Sequence, residues 1–373
     1  MRIDWNSDES LVLLNPRLPQ TERNSLMLAL DKVQDIKRHI WLTTSGTSGS
    51  LKWVGLSKEA VLKSAGAVNR HLESDSKDIW LHALPPFHVG GLGIAARSHL
   101  SGARVVTMQG KWDPIEFHRA LSEEKATLSA LVPAQVHDLV MKDLRAPLSM
   151  HGIIVGGGAL GECLYKQAVA MGWPLLPSYG MSECCSQVAT ARKGNSVSGL
   201  PVLELLDHIE AKTDNESRLW IKSSALLSVY IYKRNDSFVV IDPKEEGWFK
   251  TEDLGEVKDR KLMVFGRMGD FFKIGGESVD FLRLEKILNE IRLNLHVKED
   301  MALVPIPDPR LGYVIHLAVQ GACEHTDQVL ACFQARVFPF EKIRQVHQMF
   351  RIPRTPLNKL LKQELIAQII QKS

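Results

Sequence analysis

Thr43-Thr44-Ser45-Gly46-Thr47-Ser48-Gly49-Ser50-Leu51-Lys52 is the stretch on which the reading of this chain turns. It follows a short apolar lead, Ile40-Trp41-Leu42. Hydroxyl side chains, glycines and a lysine make a loop rich in donors. Glycine lets backbone N–H groups approach an anion closely, and Lys52 supplies a point charge. The composition is that of a phosphate cradle. A Walker A loop places Gly directly before Lys; Leu51 stands there, so that motif is excluded. A flexible Ser/Thr/Gly linker has the same composition. The stretch alone leaves the two readings level, and the rest of the chain has to separate them.

Downstream, short apolar runs alternate with amphipathic ones. Asp78-Ile79-Trp80-Leu81-His82-Ala83-Leu84 reads as a strand ended by Pro85-Pro86, and Arg104 to Met108 as a second. Asp113-Pro114 opens a helix reaching about Ala126, with proline in the first turn. Thr127 to Val132 is a strand, Pro133 onward a helix, and Ile153-Ile154-Val155 a buried strand running into Gly156-Gly157-Gly158. A helix from about Gly161 to Met171 precedes a strand that ends at Tyr179-Gly180. This alternation predicts an α/β fold with a largely parallel sheet up to about residue 190.

Between about residues 197 and 265 the pattern becomes short strands and turns, which predicts a small antiparallel β subdomain. After Gly266 a helix (about 281–291), two apolar strands (301–304 and 314–319) and a further helix (about 327–337) predict a compact α+β domain. The division expected is a large N-terminal domain, 1–265, a connecting segment, 266–270, and a C-terminal domain, 271–373.

Bulk properties narrow the function. The formal charge of +3, from 46 basic and 43 acidic residues, gives no nucleic-acid footprint. Five cysteines without CxxC spacing argue against a disulfide framework or a zinc site. No apolar run approaches the ~20 residues of a membrane span, and the start lacks a signal-peptide pattern. A soluble cytoplasmic protein acting on small molecules is the expectation. Composition says nothing of its oligomeric state.

Further motifs are individually weak. Gly91-Leu92-Gly93-Ile94-Ala95-Ala96 matches a dinucleotide pattern, but Pro85 to Gly90 separates it from the strand, so close helix packing is the better reading. Tyr179-Gly180-Met181-Ser182-Glu183 follows a strand, where α/β sheets place ligands. An ordinary helix N-cap explains it equally well. Gly247 to Gly255 and Gly266 to Glu277 are turn-rich. Pro353-Arg354-Thr355-Pro356-Leu357-Asn358-Lys359 is a stiff basic loop.

Together these pieces resemble, in one order, the acyl- and aryl-CoA ligase superfamily of adenylate-forming enzymes. Thr44 to Lys52 resembles the TSGTTGxPKG loop and Phe87 to Gly91 the FHxxG segment. Tyr179 to Glu183 resembles YGxTE, Gly247 to Asp253 resembles GWFxTGD, Gly266 to Glu277 resembles the GRxDDxIKxGGE hinge, and Pro353 to Lys359 resembles PxTxxGK. Six ordered matches over most of the chain displace the linker reading. Within the superfamily the chain is most similar to o-succinylbenzoate–CoA ligases of menaquinone biosynthesis, through the spacing of His88 and Arg97 and the run after Glu183.

The resemblance implies a large N-terminal α/β domain, with its parallel sheet and small antiparallel β subdomain, followed by a small mobile α+β domain. It implies ATP, Mg²⁺ and CoA as reactants or cofactors. Thr44, Ser45, Gly46, Thr47, Ser48, Gly49 and Lys52 would hold phosphates. Gly156, Gly157, Gly158, Tyr179 and Gly180 would hold adenine, Ser182 a phosphate, Glu183 the Mg²⁺, and Asp253 with Arg267 the ribose. His88 and Arg97 would meet the acid, and Lys359 would bridge carboxylate and α-phosphate. Gly269 and Asp270 would be the pivot, and Lys273, Gly275 and Gly276 would serve the CoA step.

Departures are Ser48 and Leu51 in the phosphate loop, Glu252 before Asp253, Gly269 in the hinge, and Asn358 before Lys359. The phosphate loop also begins near residue 43, much earlier than is usual, so part of the N-terminal subdomain is expected to be missing or reduced. Another aryl or fatty acid–CoA ligase and a non-catalytic adenylate-binding relative are the alternatives.

Overall fold

The computed structural model describes residues 3–16, 18, 20–45, 51–194, 199–234, 237–268, 271–274, 277–308, 310–356 and 358–372. Contacts divide the chain into two compact units, one of residues 1–160 and 166–264, the other of 161–165 and 265–373. Among the described residues no helix is long and apolar enough to cross a membrane.

In the first unit, five parallel strands stand in the order Arg104–Thr107, Ile79–His82, Leu128–Leu131, Gly152–Val155, Leu175–Met181. By sequence this is 2-1-3-4-5, a doubly wound order. Leu128–Leu131 and Gly152–Val155 are buried at every position, as strands covered on both faces must be. Two helices of this unit start at side-chain caps. Ser57 accepts from Ala60 N ahead of Lys58–Leu72, and Asp113 accepts from Ile115 N and Glu116 N ahead of Pro114–Glu123.

The antiparallel strands expected between 197 and 265 are present, and they join two sheets. Leu203–Leu205, Arg218–Lys222 and Trp248–Lys258 continue the parallel sheet through Ser186–Thr190. Val229–Arg234 instead pairs with Leu51–Ser57, and Ser237–Ile241 with Val229–Arg234. They complete a second sheet with His39–Ser45 and Leu11–Leu13. One core of Leu42, Val54, Trp80, Leu128, Ile154 and Val188 packs between helices and sheets.

The second unit has a sheet in the order Glu277–Asp280, Phe271–Ile274, Gly312–Gln320, Met301–Asp308, with Ile343–Met349 parallel to Gly312–Gln320. Alternation divides its faces. Ile315, Leu317 and Val319 pack with Leu284 and Leu288 of Phe281–Asn294 and with Val329 and Phe333 of Thr326–Gln334. Ala318 and Val304 pack with Leu365 and Ile369 of Lys362–Lys372.

Candidate active site

The first sequence stretch folds as a hairpin. His39–Ser45 and Leu51–Ser57 pair antiparallel with Thr44 opposite Lys52. Gly46, Thr47, Ser48 and Gly49 lie outside the described residues, as does the side chain of Ser45. Thr44 Oγ1 is buried and makes no hydrogen bond among the described residues. Lys52 Nζ lies 3.7 Å from Glu183 Oε1 and 3.8 Å from the centroid of the Tyr230 ring. The hairpin therefore delivers its cation to the carboxylate of the YGxTE-like segment.

That segment ends the last parallel strand. Tyr179 and Gly180 close Leu175–Met181, and Ser182, Glu183 and Cys184 form a single 3₁₀ turn rather than a capped helix. Gly180 is required by close approach: a Cβ there would lie 1.8 Å from the carbonyl oxygen of Ser186. Glu183 is clamped twice. Its carbonyl accepts from Leu227 N at 2.8 Å, and its Oε1 accepts from the Tyr230 hydroxyl at 2.6 Å. Burial and the adjacent Glu183 charge raise the Tyr230 phenol well above its ordinary range, so it stays protonated and donating.

Asp253, only 6% exposed, comes from Trp248–Lys258. Its Oδ2 accepts from the Tyr179 hydroxyl at 2.7 Å, and Thr251 Oγ1 takes its N–H at 3.1 Å. Glu252, where glycine is usual, sits exposed in ordinary strand backbone, so the exchange leaves Asp253 in place. Gly156, Gly157 and Gly158 follow Gly152–Val155; Gly157 has φ +79° and a Cβ on Gly156 would lie 3.5 Å from Ser178 Oγ. The glycine turn thus lies against the strand that carries Tyr179.

The acid-binding candidates sit on Val89–Ser101, the helix following the switch-point strand Ile79–His82. His88 is the N-cap residue just before it, ring 4.7 Å from that of Phe87. Arg97 is 2% exposed. Its Nη2 donates to Ser186 Oγ at 3.3 Å, and its guanidinium carbon lies 5.6 Å from the Trp80 ring centroid. Its Nε makes no hydrogen bond, and no carboxylate pairs with it among the described residues. Burial pushes its pKa down to about 9, still cationic at neutral pH. Ser186 links the two halves of the site: its carbonyl covers Gly180 and its hydroxyl takes Arg97.

The second unit holds the remaining candidates. Lys359 is exposed in a loop tied by Thr355 N to Lys359 O at 2.8 Å and Lys359 N to Thr355 Oγ1 at 3.1 Å. Arg354 braces that loop on Asp300 through 2.6 and 2.7 Å bonds. Asn358 has φ +59°, which explains the exchange for glycine, since asparagine tolerates this region best among residues bearing a side chain. Arg267 is exposed at the end of Lys261–Arg267. Gly269, Asp270, Gly275 and Gly276 lie outside the described residues, as does the side chain of Lys273.

Tyr230 and Trp80 lie outside the motifs, while Thr251 and Ser186 lie within the matched segments but were given no role. Tyr230 carried only the signal of an alternating strand, Val229-Tyr230-Ile231-Tyr232. Trp80 read only as part of the strand that starts at Asp78. Among the described residues no cluster of three or more His, Cys, Asp or Glu could hold a metal ion. A Mg²⁺ would be held by Glu183 with triphosphate oxygens, the hard, sparse ligand set this ion favours. The donor set fits, because Glu183 Oε2 makes no hydrogen bond among the described residues while Oε1 is engaged.

Residues 31–231 match the family model of the AMP-binding enzymes. The 2-succinylbenzoate–CoA ligase of Bacillus pumilus is 28% identical over 338 residues, spanning 86% of this chain and 67% of that protein. The 4-coumarate–CoA ligase-like 6 of Oryza sativa subsp. japonica is 28% identical over 369 residues, spanning 88% of this chain and 60% of that one. Among solved structures, the o-succinylbenzoate coenzyme A synthetase of Bacillus subtilis in complex with ATP and magnesium ion superposes with a TM-score of 0.72 at 25% identity, covering 87% of this chain and 69% of that one.

Proposed function

The chain belongs to the AMP-binding enzyme family, and from that premise we propose that it is an ATP-dependent acid–CoA ligase whose acid is o-succinylbenzoate. The observation that carries the reading is Arg97. A buried guanidinium with no carboxylate partner among the described residues is costly to keep. A dicarboxylic acid repays it: one carboxylate reacts, and the other pairs with Arg97 in the directional, charge-assisted way this side chain favours. A monocarboxylic coumarate or fatty acid has nothing to offer it, which ranks the coumarate-like alternative second.

A carboxylate resists a thiol because oxide is a very poor leaving group. In the first step one carboxylate oxygen of the acid attacks the α-phosphorus of ATP. The bond from that phosphorus to the bridging oxygen breaks, and pyrophosphate leaves. In the second step CoA sulfur attacks the acyl carbon, its proton passes to solvent, and the bond to AMP oxygen breaks. The protein's share is positioning and charge stabilisation. Lys52 and the hairpin tip hold the β- and γ-phosphates and Ser182 a phosphate oxygen. Asp253 accepts from ribose hydroxyls, and Arg267 is proposed to serve the ribose as well. Tyr179, fixed by Asp253, and the turn Gly156-Gly157-Gly158 hold adenine. Bound at Glu183, Mg²⁺ would neutralise triphosphate charge. Lys359 bridges carboxylate and α-phosphate, and His88 borders the acyl pocket.

The second step needs Lys359 out of the way, so the C-terminal domain, 271–373, is proposed to turn about Gly269 and Asp270, with Lys273, Gly275 and Gly276 serving the CoA step. The reaction is proposed to take place in the cytoplasm, where ATP and CoA are at hand. The test is o-succinylbenzoate-dependent release of AMP and pyrophosphate with formation of the CoA thioester. Adenylation of monocarboxylic aryl acids in preference would move the assignment to the second reading. Tight ATP binding without turnover of any acid would make the chain a non-catalytic adenylate binder.

A further inference from the structure

The side chain that fixes the metal-binding carboxylate lies outside every motif. Tyr230 stands opposite Val54 in the sheet that carries the phosphate hairpin, and its body is buried. Its hydroxyl reaches Glu183 Oε1 at 2.6 Å. Lys52 Nζ approaches the same oxygen only to 3.7 Å, beyond hydrogen-bond length, because it rests 3.8 Å from the Tyr230 ring centroid. Glu183 Oε2 makes no hydrogen bond among the described residues. The carboxylate is therefore held by one oxygen. Leu227, three residues before Tyr230, holds the Glu183 carbonyl at 2.8 Å, so one short segment grips both main chain and side chain.

We propose that Tyr230 is a positioning residue that fixes Glu183 through Oε1 and reserves Oε2 for the Mg²⁺ of bound MgATP. The arrangement answers two needs. A carboxylate free to rotate would lose torsional freedom on meeting the metal; one already hydrogen-bonded has lost it beforehand. A lysine tightly paired with that carboxylate would compete with the metal. Parked on the ring face, Lys52 can move to the phosphates and leave the Tyr230–Glu183 bond intact.

This rests on the ATP-and-metal reading of the site but not on the identity of the acid. Mn²⁺ is the probe, titrated into the full-length protein with saturating ATP, while the electron paramagnetic resonance signal of free Mn²⁺ is followed. Tyr230→Phe should weaken Mn²⁺ binding about 10–100-fold, the usual effect of removing a partner behind a metal ligand. AMP binding without metal should stay unchanged, which also confirms the fold. In a Glu183→Gln background the same substitution should add nothing. A second measurement needs no variant: the ¹³Cζ resonance of labelled Tyr230 should shift on addition of MgATP and not of AMP. Wild-type Mn²⁺ affinity in Tyr230→Phe, additive losses with Glu183→Gln, or an unmoved resonance would each overturn the proposal. Failure of the wild type to take up Mn²⁺ with ATP would bring down the nucleotide-site reading as well, a result distinct from the others.

Discussion

Replacing Arg97 by methionine should make the protein more stable and less discriminating. The guanidinium is 2% exposed, and burial alone lowers its pKa from 12.5 to about 9. That gap corresponds to about 5 kcal/mol of unfavourable burial of the charge. Against it stand the 3.3 Å bond to Ser186 and the 5.6 Å approach to the Trp80 ring, worth about 1 kcal/mol and about 1–2 kcal/mol. Leaving Ser186 Oγ unpartnered costs about another 1 kcal/mol. Desolvation wins, so Arg97→Met should gain about 1–2 kcal/mol and raise Tm by a few degrees in the absence of ligand. The substrate pays the opposite sign. A second carboxylate left unpaired in the pocket loses about 2–5 kcal/mol, about 30-fold to several thousand-fold in kcat/KM for o-succinylbenzoate. Differential scanning calorimetry reads the first effect. AMP release with o-succinylbenzoate and with an analogue lacking its second carboxylate reads the second. The KM for ATP should barely move. An unchanged preference between the two acids refutes the role of Arg97, and a fall in Tm refutes the energetic argument.

Lys359→Ala should slow adenylation about 10²–10³-fold and leave thiolation of supplied acyl-adenylate intact; equal loss in the two half-reactions would contradict it. Gly180→Ala places a Cβ 1.8 Å from the Ser186 carbonyl, so strand separation should cost several kcal/mol, about 3 or more, read as a lower urea midpoint together with loss of ATP binding. Stability should also fall with acid. Burial lowers His82 and His208 from 6.5 to about 4, so between those values the unfolded chain takes up protons that the folded chain refuses. Their contribution, up to about 3 kcal/mol each, is complete above pH 6.5 and disappears as pH drops toward 4. His208→Asn should flatten the slope of urea stability against pH in that window, and an unaltered slope would show that His208 is not its source.

Much of the large unit was legible because its signals are local. The strands Leu128–Leu131 and Gly152–Val155 are continuous apolar runs, and the helix Pro114–Glu123 announces itself through Asp113-Pro114. Gly156 to Gly158 and Tyr179 to Glu183 were readable as punctuation after strands. What escaped depends on pairing between distant segments. Tyr230 and Tyr232 occupy one strand face, and only the register that puts Tyr230 opposite Val54 brings its hydroxyl to Glu183, 47 residues away in sequence. Ser186 matters because its carbonyl crosses Gly180 and its hydroxyl meets Arg97, neither of which a linear pattern encodes. Trp80 was hidden for the opposite reason: a buried strand residue looks like core whether or not a guanidinium rests beside it. Asn358 stood out only as a departure until its φ of +59° showed why asparagine serves there.

The account stands or falls on a thioester. The purified protein, incubated with ATP, Mg²⁺, CoA and a panel of carboxylic acids, is assayed for acyl-CoA by mass spectrometry and for AMP by chromatography. The account predicts one AMP and one pyrophosphate per thioester, with o-succinylbenzoate the preferred acid. Absence of AMP and of any thioester across the panel, from protein that still binds ATP, would contradict it.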